Sequence, residues 1–113
     1  MIEYVARSGP PEAMECPAFI CDRCREQVVG SGNVLWWSTT RDRWRSSPIF
    51  VAHKGCTSAL EQRLETTYPR DEGWIRRFDE VKRFLPQLTH NATNAFADDP
   101  EGAYHPHQLK LPV

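Results

Sequence analysis

Long apolar runs are what this sequence most clearly lacks. None approaches the roughly 20 residues needed to cross a bilayer, and the opening MIEYVARSGPPEAMEC has neither the basic start nor the apolar stretch of a signal peptide. The expectation is a cytoplasmic chain with no membrane partner. A dominant charge is lacking too: 14 Lys and Arg against 15 Asp and Glu leave a net charge of -1, so bulk electrostatics points neither to a nucleic-acid backbone nor to an acidic tail. There is no glycine-rich phosphate loop, no Gly-x-Ser-x-Gly and no pair of carboxylates at a suggestive spacing, and no internal repeat or low-complexity tract. No enzyme is expected, and no small-molecule substrate is evident.

What is present fits one domain, since 113 residues are too few for two ordinary ones. Hydrophobic residues make up 40% and include four Trp and five Phe, enough for a real but modest core that extra cross-linking would help. The charge is unevenly spread. Residues 21–56 hold Arg23, Arg25, Arg41, Arg43, Arg45 and Lys54 against Asp22, Glu26 and Asp42, a local excess of +3.

The same stretch holds three of the four cysteines. Cys21 and Cys24 stand in CDRC, His53 and Cys56 in HKGC, and 28 residues separate the two pairs. In a reducing compartment stable disulfides are disfavoured and thiolates tend to hold metal. A Cys-x-x-Cys turn can aim both sulfurs at one point about 2.3 Å away, and a His-x-x-Cys entering a helix presents both ligands on one face. Each pair follows a strand-like apolar run, Phe19–Ile20 and Ile49–Val51. The metal ligands expected are Cys21, Cys24, His53 and Cys56, and the expected cofactor is a structural Zn2+. A redox disulfide at CDRC lacks a helix-opening context of the thioredoxin kind. A deaminase-type zinc site would need a His-x-Glu upstream, and no histidine precedes Cys24. Cys16 reads as a free thiol, the substitute should His53 not bind.

Residues 19–65, with CDRC, a hairpin, HKGC and a following helix, resemble a treble-clef zinc finger, and the Cys-x-x-Cys plus His-x-x-Cys set is similar to half of a LIM domain. The resemblance implies a knuckle at Cys21 and Cys24, a β-hairpin, and a helix whose first turn carries Cys56 with His53 just before it. It implies no single function, because that family includes nucleic-acid binders, protein-binding modules and some nucleases.

The residues themselves predict an α+β fold. NVLWW and PIFVAH are rich in strand formers around the polar tip STTRDRWRSS, and GSG at 30–32 is turn chemistry. CTSALEQRLETTY, with Leu60 and Leu64 four apart, predicts a helix of about three turns ending before Pro69. Trp74, Phe78, Val81 and Leu85, spaced four, three and four, predict an amphipathic helix over 71–85 with Asp71 as N-cap and Pro86 as its stop. Trp74 and Phe78 are expected to press on Leu60, Leu64 and the hairpin. IEYVA reads as an edge strand, SGPPEAMECP as a linker, and residues 89–113 as an extended tail in which His105 and His107, a metal pair lacking a third ligand nearby, read as surface residues and His90 has no assigned role. The expected organisation is a zinc-binding domain over 1–88, its finger at 19–67, followed by that tail.

For function, the hairpin tip is the place to look, where Arg41, Arg43, Trp44 and Arg45 stand close to Trp36 and Trp37. On a strand Trp36 and Trp37 face opposite sides, so at least one packs inward; Trp37 is taken with the tip as a contact residue. The first expectation is a zinc-stabilised protein-interaction module with a protein partner, since Trp and Arg dominate interface energetics. The alternative is nucleic acid, with arginines on phosphates and Trp44 stacked on an unpaired base.

Overall fold

The structure, a computed structural model, describes residues 1–7 and 14–94. Two strands, β1 (Ile2–Arg7) and β2 (Met14–Phe19), pair antiparallel with Ile2 opposite Phe19 and Val5 opposite Cys16. The last four residues of the expected linker are therefore strand. Pro17 is tolerated there because each strand of a two-stranded ribbon has a free edge that needs no N–H.

Beyond β2 the chain makes a tight turn. Ile20 bridges Gln27, the Cys21 N–H donates to the Glu26 carbonyl at 2.8 Å, and the Arg25 N–H donates to the Cys21 carbonyl at 2.9 Å. Closing so small a loop requires a left-handed residue, and Arg25 takes it at φ 68°.

Strand β3 (Asn33–Thr39) is the centre of the main sheet. Along one edge it pairs first with β5 (Phe50–Ala52) and then with β4 (Arg45–Ser46), so STTRDRWRSS does form a hairpin tip. Between β4 and β5 the ladder is kept by Ser47. It donates its N–H to the Trp37 carbonyl at 2.8 Å and accepts the Trp37 N–H on its hydroxyl at 2.8 Å. Val34, Leu35, Trp37 and Thr39 are all buried, so both faces of β3 are covered. Trp37 is 1% exposed and Trp36 half-buried, as alternation requires. Gly32, just before β3, has no room for a side chain: a Cβ there would lie 2.5 Å from Val28 Cγ1 and 3.1 Å from the Ala52 carbonyl oxygen.

A short 3-10 turn, Lys54–Cys56, leads into α1 (Thr57–Leu64), which is nearer two turns than three. Thr57 secures the junction, its hydroxyl donating to the His53 carbonyl and accepting from Asn33 Nδ2, both at 3.0 Å. Leu60 is fully buried in the core with Leu35, Trp37 and Val51, and Leu64 packs against that core.

The second half departs from expectation most. Where a helix was expected over 71–85, Asp71 lies in a 3-10 turn (Arg70–Glu72), Gly73 adopts φ 92°, and the chain runs on as strand β6 (Ile75–Glu80). Gly73 breaks the helical path, and the open edge of β3 supplies backbone partners from Asn33 opposite Glu80 to Ser38 opposite Ile75. Ladder hydrogen bonds along a whole strand outweigh a weak helical preference. The stripe survives only in part. Trp74 packs against the core beside Tyr68, whereas Phe78 is 56% exposed at the sheet edge and does not press on Leu60 and Leu64. Helix α2 (Val81–Asn94) begins ten residues late and passes through Pro86, the expected stop. Pro86 frees only the Lys82 carbonyl, on a surface where both residues are exposed to water. The first six residues of the expected tail are thus helical, and the rest, with His105 and His107, lies outside the described residues.

Candidate metal centre

The turn after β2, and the 3-10 turn before α1 with the residue that precedes it, carry the four ligands of the sequence pattern, and the fold brings them together. One ligand atom from each of Cys21, Cys24, His53 and Cys56 lies within 4.8 Å of every other. His53 Nδ1 is 3.3 Å from Cys24 Sγ and 4.0 Å from Cys56 Sγ. A tetrahedral ion bound at about 2.0–2.3 Å sets its ligand atoms roughly 3.5–3.8 Å apart. The cluster matches that spacing closely enough to hold a metal ion, and the ligand set is compatible with zinc.

The surroundings are those of a ligand set rather than of four packed side chains. His53 Nε2 lies 2.9 Å from the Gln27 carbonyl oxygen. A carbonyl can only accept, so the ring proton sits on Nε2 and the Nδ1 lone pair is left facing the sulfurs. Holding the outer nitrogen in this way orients a metal-binding imidazole. Cys21 Sγ receives the N–H groups of Arg23 and Cys24 at 3.4 and 3.5 Å, partners suited to a thiolate.

The thiols do not share one acidity. Burial would raise Cys21, but the N–H groups of Cys24, His53 and Arg23, with the His53 ring, bring it down to about 6. Cys56 goes the other way, pushed up to about 11 by burial and by competition with Cys21 and Cys24. His53 is raised above its ordinary value, first by the Gln27 carbonyl and then by Cys21. Three sulfurs this close cannot all be anionic near neutral pH unless a cation offsets their repulsion.

Asp22, inside the knuckle, ties three parts of the chain to the centre. Its Oδ2 accepts the Val51 N–H of β5 and the Met1 amino group, each at 2.8 Å. The Asp22 carbonyl accepts from Arg63 of α1 at 3.0 Å. Neither Gln27 nor Asp22 is marked by the ligand pattern; only an acid inside a Cys-x-x-Cys hints at the second role. Cys16 sits in β2 and is not a member of the cluster. His90 lies on α2.

The contact residues of the hairpin tip separate. Arg41 and Arg43 are exposed, while Trp44 and Arg45 are half-buried. Arg41 donates to the Asp71 carbonyl at 3.1 Å, and the Arg45 guanidinium stands 5.1 Å over the Trp74 ring. Trp37, expected with the tip, is the largest fully buried side chain and packs in the core. Beside it lies a pocket of about 330 Å³ lined by Tyr68, Trp74, Ile75, Glu65, Arg70 and Arg76, with Trp37 behind them. Trp37 stacks on Tyr68 at 5.7 Å, and Tyr68 meets Trp74 edge-on at 5.0 Å. The sequence signal for this pocket was the pair of aromatics flanking a Pro- and Gly-bounded turn, TYPRDEGW.

No helix among the described residues is long and apolar enough to cross a membrane. Comparison with family models, with curated proteins and with solved structures finds no match for this chain.

Proposed function

We propose that Cys21, Cys24, His53 and Cys56 hold one structural zinc ion in a treble-clef-like finger, and that the module serves to bind a protein partner beside the hairpin tip. The observation that carries the reading is the ligand set: four ligand atoms within 4.8 Å of one another, three sulfurs and one imidazole nitrogen, would fill a tetrahedron around one ion and leave no position for water or substrate. Such a site contributes folding energy rather than chemistry. Soft sulfur ligands with one nitrogen suit zinc among the common divalent ions. A knuckle at Cys21, strands flanking it, and Cys56 at the entrance of α1 support the treble-clef arrangement.

For the partner, the pocket beside Tyr68 and Trp74 has the size to take a large side chain, and its lining mixes aromatic with charged residues. Its rim mixes Glu65 with Arg70 and Arg76, and Arg76 is already paired with Glu61 at 2.6 Å. Charges of both signs suit a peptide better than a phosphate backbone. Nucleic acid is the second reading, favoured by the exposed Arg41 and Arg43 beside Trp44.

Metal analysis of the purified chain tests the first part, one zinc per chain being expected. Capture from lysate with and without nuclease tests the second. A partner that survives digestion, binds with weak salt dependence and is lost on Trp74→Ala supports the protein reading. Binding that falls steeply with salt and flattens when Arg41, Arg43 and Arg45 become Ala would replace it with nucleic acid.

A further inference from the structure

Strand β6 is hydrogen-bonded along one edge only. It pairs with β3 through six residues, and among the described residues no strand covers its outer side. An open edge of that length is a template for another strand, which folds usually blunt with a bulge, a proline or an inward charge. Here Ile75 and Phe78 are 54% and 56% exposed, and the charges carry a pattern instead.

That pattern is RRFDE, residues 76–80. Laid antiparallel against itself about Phe78, it sets Arg76 opposite the second copy's Glu80, Arg77 opposite the second copy's Asp79, and Phe78 opposite Phe78. Every charge then meets its opposite, and an aromatic pair lies on the two-fold axis. Directly opposed residues share a face of an antiparallel ladder, so these pairings are contacts. Other alignments lose this match. A shift of one residue sets Arg77 against Phe78 and Ile75 against Glu80, and a parallel alignment sets arginine against arginine.

We propose that the chain self-associates through β6, two copies pairing these strands antiparallel about Phe78 and joining their four-stranded sheets into one. Such an interface is isologous, using the same patch twice. The charged side chains are already held near the strand by contacts within the chain: Arg76 to Glu61 at 2.6 Å, Glu80 to Lys54 at 3.6 Å, Asp79 to Arg83 at 3.6 Å, and Arg77 Nε to Ser38 Oγ at 3.4 Å. Each guanidinium has five donors, enough to serve a partner on each side. A single strand pair is a small interface, so the dimer dissociates on dilution.

The test is sedimentation of the full, zinc-loaded chain across the micromolar to low-millimolar range. The wild type should pass from monomer to dimer. R76E/R77E and D79R/E80R, each alone, should stay monomeric, and their equimolar mixture should recover the dimer as a mixed pair. Because R76E also removes the bond to Glu61, Phe78→Lys at an exposed position serves as a second probe; it should keep the metal and the melting temperature yet abolish the dimer. A wild type that is monomeric throughout, a dimer indifferent to these changes, or a mixture that stays monomeric would overturn the proposal.

Discussion

Asp22→Ala tests how the metal half-sites are tied to the sheet. In the wild type one carboxylate oxygen accepts the Val51 N–H and the Met1 amino group, each at 2.8 Å. Val51 is 1% exposed, so its N–H has no water to turn to once the acceptor is gone. Leaving a buried donor unsatisfied costs about 1–3 kcal/mol. The Met1 side chain is about a third exposed, so water reaches this end of the pair, and losing it adds roughly 0–1 kcal/mol at most. The expected loss is therefore about 1–4 kcal/mol of unfolding free energy, measured by urea titration with zinc in excess and metal content checked in the folded baseline. Asp22→Asn keeps an oxygen for Val51 and should recover most of it, leaving a deficit of about 1 kcal/mol or less. If Asp22→Ala unfolds within about 0.5 kcal/mol of the wild type with its metal intact, the carboxylate does not hold β5 to the knuckle and the reasoning fails.

Other consequences follow from the same geometry. Cys56→Ser should lose the ion and unfold the chain, whereas Cys16→Ser should keep a full complement; metal analysis after gel filtration separates the two. Because Cys56 without metal ionises only at about 11, binding near neutral pH must displace its proton, so affinity should fall about tenfold or more per unit of acidification. Competition with a chromogenic chelator between pH 8 and 6 would read this, and a flat profile would contradict it. Gly32→Ala forces a methyl onto Val28 and the Ala52 carbonyl and should cost about 1–3 kcal/mol by chemical denaturation. A Gly32→Ala variant as stable as the wild type would mean that this corner of the core yields freely.

The four-ligand cluster was legible in the sequence because its signal is local twice over: two short motifs at ligand spacing, each led by an apolar run. The hairpin was legible for a similar reason, since β-branched and aromatic residues flank a polar tip. What could not be read was anything decided by a distant partner. Trp74, Phe78, Val81 and Leu85 satisfy a helical period, but the open edge of β3, some forty residues earlier in the chain, claims residues 75–80 as a strand. Pro86 ends a helix that starts at 71, yet it is tolerable near the beginning of one that starts at 81 with that face in water. Trp37 looked like an anchor beside arginines, and strand alternation alone does not say which of two adjacent tryptophans turns inward. The Gln27 carbonyl that orients His53 carries no side-chain signature at all.

That carbonyl has a kinetic consequence. It belongs to the segment of Cys21 and Cys24, while the ring it grips belongs to the segment of Cys56. The imidazole cannot swing clear while both segments stay in register, so a competing chelator cannot peel the ligands off one after another. Turnover of an ion held there should keep pace with breathing of the backbone rather than with the intrinsic lability of a metal–nitrogen bond, making it slow to leave at concentrations where equilibrium alone would release it.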